Sequence, residues 1–387
     1  MKRFVTLVIA TLLISSQSAS AAPKSIAASE ITKVASIAEH EGAVISSQGV
    51  TIFANSEKKV LVTSLDFAGV EKWKLVVEGS PDQIAMAATS DKEGNIWLAG
   101  LTSAINVYET QNATSNPVNV DGVVVEKVPA LRNELNSLTL WKISATGSLV
   151  GTYSESATSP LLITAISHST SGISILGDRG AGTVLISSTL GGKFSAAKVI
   201  GSAKSSLTSI VRNSDGSAQI YGSSSETLGG KKLVGLRDGI LAKVNSAGTL
   251  TNVVRSSANR ATRLWQSATA TFFLVGDVKV SGKNESAFTK FNSSFVPTWT
   301  LRLPSQGAQL ATAGAKGGHY ALFNSTSSIP GVTGWKPSTA TPIVIRFDDK
   351  GAITQALKSS QVKSATTMAF ISGVGLVVIS QTGIYKG

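Results

Sequence analysis

Apolar residues along this chain come in short runs that end on Gly, Asn, Asp or Ser, and helix-period stripes are hard to find beyond the N-terminal segment. Runs of that kind, bounded by turn residues, predict strands joined in hairpins. Two phrases recur. The first is an apolar strand, a tight polar turn ending in Gly, and a second strand that often closes on Gly. It reads Ile37 to Gly49, Ser90 to Gly100, Ser167 to Gly177 and Asn213 to Gly222, with looser copies around Phe272 to Gly276, Gly318 to Phe323 and Gly375 to Ile379. The second is a strand, a polar turn with Gly, and another strand. It reads Val62 to Gly69, Trp141 to Gly147, Ala242 to Gly248 and Ile345 to Gly351, with degenerate forms at Leu185 to Gly192 and Thr289 to Phe295.

Two hairpins per unit give four antiparallel strands, the content of one propeller blade. The expected fold is therefore all-β: a β-propeller of seven four-stranded blades, with six or eight as the alternatives. The unit length, about 50 residues, is near that of known blades. A linear β-solenoid is the rival architecture, but its units are shorter. The last unit stops short at Gly387, so its outer strand is expected from Ala22 to Glu30 or is absent.

The turns resemble the bacterial propeller repeats called SBBP and the related delta-60 type. The resemblance rests on Asp91-Lys-Glu-Gly-Asn-Ile-Trp-Leu-Ala-Gly-Leu-Thr-Ser103, on Asp238-Gly-Ile-Leu-Ala-Lys-Val244, and on Leu65-Asp-Phe-Ala-Gly-Val-Glu-Lys-Trp73. Blades three, five and six depart from it, lacking the Asp or the aromatic. Such repeats imply an architecture and carry no single shared activity.

The N-terminus changes the expected compartment. Met1-Lys2-Arg3, the apolar run Phe4 to Ile14 and the small residues Ala19-Ser20-Ala21 have the form of an export signal over residues 1–21. The run is too short to span a bilayer, which needs about 20 residues. The expectation is Sec-type bacterial export of a secreted or cell-envelope protein. Residues 22–387 then form a single propeller domain, monomeric and without a transmembrane segment, with a long loop insertion at about 103–138. There is no Cys, so neither disulfides nor thiol chemistry contributes. Lys and Arg number 35 against 23 Asp and Glu, a net charge of +12 that signal removal lowers by two. That balance suits an anionic surrounding such as cell-wall polymer, acidic polysaccharide or a membrane surface. The densest basic group is Lys231, Lys232, Arg237 and Lys243. Nucleic acid is not an expected partner.

Candidate chemistry is sparse. Asp91, Asp215 and the pair Asp348 and Asp349 sit in turns, but none of these loops alternates acids as a calcium loop does. No cofactor or metal is called for, and the acids read as turn formers. Asp66 and Trp73 resemble a sialidase Asp-box whose Gly comes one residue late. His40, His168 and His319 fall at the first-phrase turns of different units and read as solvated turn residues rather than a zinc set. No Gly-x-Ser-x-Gly elbow is present, and Gly229-Gly230-Lys231-Lys232 lacks the spacing of a phosphate loop. Trp73, Trp97, Trp141, Trp265 and Trp299 read as core between blades, with Trp335 in a loop.

The connections are unequal. Those between the two phrases are brief at Arg179 to Gly182, longer at Ser223 to Arg237 and Thr326 to Thr341, and longest at Ser103 to Leu138. Long irregular loops are uncommon unless they carry function, and in a propeller these all project from one face. Tyr108, Arg132 and Trp335 are the candidate binding residues there. The reading is a non-catalytic binding or scaffold module at the cell envelope, with an unknown protein or an anionic polymer as partner and no catalytic residue assigned. The alternative is a propeller enzyme of the lyase, lactonase or glycoside hydrolase type. That class would need acids converging on the inner strands, and Met86 to Thr89, Ile163 to Ile166 and Met368 to Phe370 are mostly apolar or small.

Overall fold

A computed structural model describes residues 25–103, 135–157, 161–362 and 364–387. Apart from a 3-10 turn at Ala315–Gly317, its elements among the described residues are strands. Two N-terminal strands, β1 (Ile26–Glu30) and β2 (Thr32–Ser36), precede the first sheet. That sheet is β3 (Gly42–Ser46), β4 (Gly49–Ser56), β5 (Lys59–Leu65) and β6 (Glu71–Val76). The second is β7 (Gln83–Ser90), β8 (Ile96–Thr102), β9 (Ser137–Ile143) and β10 (Leu149–Ser156). The third is β11 (Leu162–Ser169), β12 (Gly172–Asp178), β13 (Thr183–Ser188) and the short β14 (Lys198–Val199). The fourth is β15 (Ser205–Arg212), β16 (Ala218–Ser224), β17 (Asp238–Val244) and β18 (Leu250–Ser256).

Then follow β19 (Thr262–Ala268), β20 (Phe273–Val280), β21 (Lys283–Phe291) and the long β22 (Pro297–Ala313). Next are β23 (His319–Ser325), β24 (Val332–Thr333), β25 (Thr341–Phe347) and β26 (Ile353–Lys358). The chain ends on β27 (Ala365–Ile371), β28 (Gly375–Ser380) and β29 (Gly383–Lys386). These last three complete a four-stranded sheet with β2, in the order β2-β29-β28-β27.

The expectation of seven separate blades needs correction. Five sheets are discrete four-stranded blades, and the other strands form one nine-stranded sheet ordered β19-β20-β21-β22-β23-β25-β26-β1-β24. The reason is β22, whose 17 residues run on without a hairpin. It pairs with β21 as far as Pro304 and with β23 from Ser305, with register shifts between Ser305 and Leu310.

Closure is also placed differently from expectation. Residues 22–30 were expected to supply the outer strand of the last sheet, but β2 does so, pairing antiparallel with β29 (Thr32 opposite Lys386, Ser36 opposite Gly383). β1 instead pairs parallel with β26, Ala28 opposite Ala356. Ile31, between the two strands, is buried, and its N–H donates to the Lys358 carbonyl. That anchor turns the chain from one sheet to the next.

Several hairpins share one turn. A polar side chain opens it and its oxygen accepts the N–H four residues on: Asp66 from Val70, Asp91 from Asn95, Asn245 from Thr249 and Asp348 from Ala352. Thr269 and Asn292 do the same for Phe273 and Val296, so the units that lack Asp keep the turn. In those two turns the position with positive φ is a Phe rather than Gly, Phe272 at 61° and Phe295 at 62°. Both rings meet edge to face, and burial of the Phe295 ring offsets the strain of about 1 kcal/mol. In the first unit the hairpin lies one strand later than the sequence phrase implied: Gly42 starts β3, and the turn runs from Ser46 to Gly49.

Tryptophans at two positions lock one four-strand unit to the following one. Trp73 of β6 donates its indole N–H to the Ala145 carbonyl at 3.0 Å and lies over Gly147. Trp299 of β22 repeats this on the Asp349 carbonyl and Gly351. A Cβ at Gly147 would stand 2.6 Å from the Trp73 ring, and its φ of +91° also favours glycine. This explains the Trp four residues after Gly69 in the repeat pattern. Apolar clusters fill the seams between sheets; Val60, Val62 and Val77 of one pack on Ile96, Leu98 and Trp141 of the next.

Candidate functional site

The inner strands surround a channel of about 470 Å³. Its walls come from β3, β7, β11, β15, β19 and β27, and include Thr164, Thr208, Gln266 and Thr367. Its lining is hydroxyl, amide and small apolar groups, with Glu41 the single carboxylate among the described lining residues. His40, beside Glu41, has both ring nitrogens engaged, Nδ1 3.0 Å from the Ala38 carbonyl and Nε2 3.2 Å from Thr366 Oγ1. Arg263 does not reach the channel lining. Its guanidinium lies over the Trp265 ring and contacts Thr289 Oγ1, and burial, helped by Arg302, brings its pKa down to about 10.

The histidines do not come together, and two are not solvated as expected. His40 is 4% exposed and His319 2%; the His319 ring stacks on Phe273 at 4.9 Å. Burial lowers the pKa of His319 and of His168, whose ring lies parallel to Trp97. Stacking on Phe273 covers His319, and His40 is held by the Ala38 carbonyl and by Thr366 of the last sheet; a turn position read from sequence carries no information about either. Among the described residues no three His, Cys, Asp or Glu side chains form a metal-holding group. The turn acids are occupied within their own turns. The Val70 N–H, with those of Ala68 and Gly69, holds the Asp66 carboxyl below its usual range, and Ser217 does so for Asp215.

Of the candidate binding residues, Tyr108 and Arg132 lie outside the described residues. Trp335 is placed, and it is 7% exposed. It packs with Phe323, Ile329 and Val332, and its indole N–H donates to Ser325 Oγ at 3.2 Å. Its ring anchors the 326–340 connection to the sheet below rather than standing out as a contact. Loop position suggested exposure; the apolar seam beneath decided otherwise.

One connection on the same face does present side chains. Between β16 and β17, Lys231, Lys232, Leu233, Val234 and Leu236 are exposed, the last two at 62% and 65%. The loop is nevertheless pinned from below. Asp238, fully buried, accepts the N–H groups of Val234 and Gly235, each at 2.9 Å, and pairs with Arg255 at 2.9 Å. Burial pushes this carboxyl up, but the hydrogen bonds of Ser257, Val234, Gly235 and Arg255 outweigh it and hold the pKa below the aspartate range. Arg255 also donates to the carbonyls of Lys231 and Glu226. Glu226 ties the loop base to Ser202 of the preceding connection and to Ser205 at the start of β15. The basic cluster Lys231-Lys232 and the long connection Ser223 to Arg237 were legible in sequence; that Leu233, Val234 and Leu236 stand exposed in it was not, because apolar side chains in a connection can equally pack down on the sheet, as Trp335 does.

A second cavity of about 420 Å³ opens where β22 passes between its two partners, lined by Asp277, Glu285, Asn284 and Gly307 among others. Burial raises the Asp277 pKa, against the opposing N–H of Ala308 and the amide of Gln266.

No family model matches the chain, and no curated protein matches it. Solved structures do. A streptogramin B lyase structure aligns over 92% of this chain and 95% of its own at a TM-score of 0.55 and 14% identity. The fold is a β-propeller. The Dos1 propeller aligns over 92% of this chain and 95% of its own, at a TM-score of 0.50 and 10% identity. The WD40 domain of Toxoplasma gondii coronin aligns over 94% and 83%, at 0.50 and 9%. At such identities the likeness extends to the propeller alone, since one fold hosts unrelated functions.

Proposed function

We propose that this β-propeller is an exported binding module that engages a partner through the face carrying its β16–β17, β8–β9 and β23–β25 connections. The observation that supports this most is the pinned, exposed Lys231 to Leu236 segment on that face. Ordering a loop before contact lowers the entropic cost of binding. The nine-stranded sheet is read as two blades fused through β22, which makes a ring of seven units. Supporting that count, the apolar clusters among the described residues fall into seven, each between one unit and its neighbour.

The enzymatic alternative, for which the streptogramin B lyase likeness offers a fold precedent, would rest on Glu41 as the channel's acid. Its neighbour His40 is held at both nitrogens, so no free base stands beside it. The test is sedimentation of the purified chain with isolated bacterial envelopes. It compares the wild type, a chain lacking residues 104–134, a Lys231→Ser/Lys232→Ser variant, and Lys350→Ser on the opposite face. Loss of binding in either face variant but not in Lys350→Ser is expected. Binding unaffected by both changes would overturn the assignment of this face.

A further inference from the structure

Resting on the reading of this face as the binding face, we infer that the β16–β17 loop docks on an anionic phospholipid surface. Leu233 is 37% exposed, Val234 62% and Leu236 65%, and they follow directly on the exposed cations Lys231 and Lys232. The loop leans on the 258–261 connection, where the Leu236 N–H meets the Ala261 carbonyl, and this sets exposed Arg260 beside the apolar group. The neighbouring acids are committed elsewhere, Asp238 to Arg255 and Glu226 to Ser202 and Ser205. The tip therefore offers apolar side chains within a collar of cations.

That combination selects lipid over the other occupants. A soluble polyanion would gain from Lys231, Lys232 and Arg260 but nothing from the exposed Leu and Val side chains. A stable protein partner needs on the order of 800 Å² from each side, far more than three small side chains supply. An anionic bilayer rewards both features: the cations approach its surface potential, and the apolar groups enter the boundary between headgroups and acyl chains. It also demands no shape complementarity. The buried Asp238–Arg255 pair explains how such a tip stays extended in water instead of folding its leucines back: it holds the backbone at Val234, Gly235 and Lys231.

The experiment is co-sedimentation of the mature chain with vesicles of phosphatidylcholine alone or mixed with phosphatidylglycerol, and a parallel assay with dextran sulfate. Binding to the anionic vesicles and little to the neutral ones is expected. Lys231→Ser and Lys232→Ser should each weaken it roughly fivefold. Leu233→Ser/Val234→Ser/Leu236→Ser should weaken it roughly tenfold or more per side chain, with an unchanged melting temperature. Vesicle binding indifferent to the apolar triple variant, or binding to dextran sulfate alone, would overturn the lipid inference while leaving the face assignment intact. The face assignment itself falls only in the envelope experiment above.

Discussion

Arg255→Met removes the charge that compensates the buried Asp238 carboxylate while keeping most of the side-chain volume. In the native chain Arg255 is 6% exposed and Asp238 not at all. Breaking a buried pair from one side costs about 3–5 kcal/mol, because the remaining charge is left without compensation. Unfolding entropy near 2.1 cal/mol/K per residue gives roughly 0.8 kcal/mol/K for a chain of this size, so the melting temperature should fall by about 4–6 °C. The double variant Asp238→Asn/Arg255→Met leaves no buried charge and should be less destabilised than Arg255→Met alone. Because the native Asp238 pKa is depressed, its contribution is complete above the ordinary aspartate value of about 4 and is lost as pH falls toward the folded value. The wild-type advantage should therefore shrink in acid. Loss of the Lys231 carbonyl clamp should also speed limited trypsin cleavage at Lys231 and Lys232. Calorimetry and a timed digest read both effects. A melting temperature within about 1 °C of wild type together with an unchanged digest would refute the reasoning, as would a double variant as unstable as the two singles summed.

Gly147→Ala should cost about 2–4 kcal/mol, combining a Cβ at φ +91° with its approach to the Trp73 ring. Chemical denaturation followed by tryptophan fluorescence would measure it, and a loss under about 0.5 kcal/mol would remove the proposed lock between sheets. Asp277→Asn should leave the melting temperature unchanged or raise it at pH 7. Burial raises the native pKa, so ionisation above the unfolded value of about 4 costs folded-state stability up to the folded pKa. That advantage should vanish near pH 3, where both side chains are neutral; a variant less stable at pH 7 than at pH 3, relative to wild type, would contradict it.

The hairpins were legible because each is a local event. A polar residue that can accept the N–H four positions on, followed by a residue able to take positive φ, forms the turn from Asp66 to Val70 and from Asp348 to Ala352 with no help from elsewhere. Alternating burial then follows from strand geometry, and repeated four-stranded units imply a propeller. Where the turn departs from Gly, at Phe272 and Phe295, the cost is offset by packing between two rings, which no local pattern encodes. The continuity of β22 across two pairings and the transfer of ring closure to Thr32–Ser36 depend on which edges meet in space.

The site divides in the same way. Sequence alone determined that this chain builds repeated β-hairpins, that it is basic and free of cysteine, and that its connections are unequal. Tertiary structure decided which loop residues are available: it buried Trp335 in an apolar seam and left Leu233, Val234 and Leu236 in solvent. The physical reason is that exposure belongs to the surroundings of a side chain. The surroundings of Trp335 are Phe323 and Ile329, whereas Leu236 is held outward by its N–H bond to the Ala261 carbonyl, beside the Val234 and Gly235 backbone that buried Asp238 fixes.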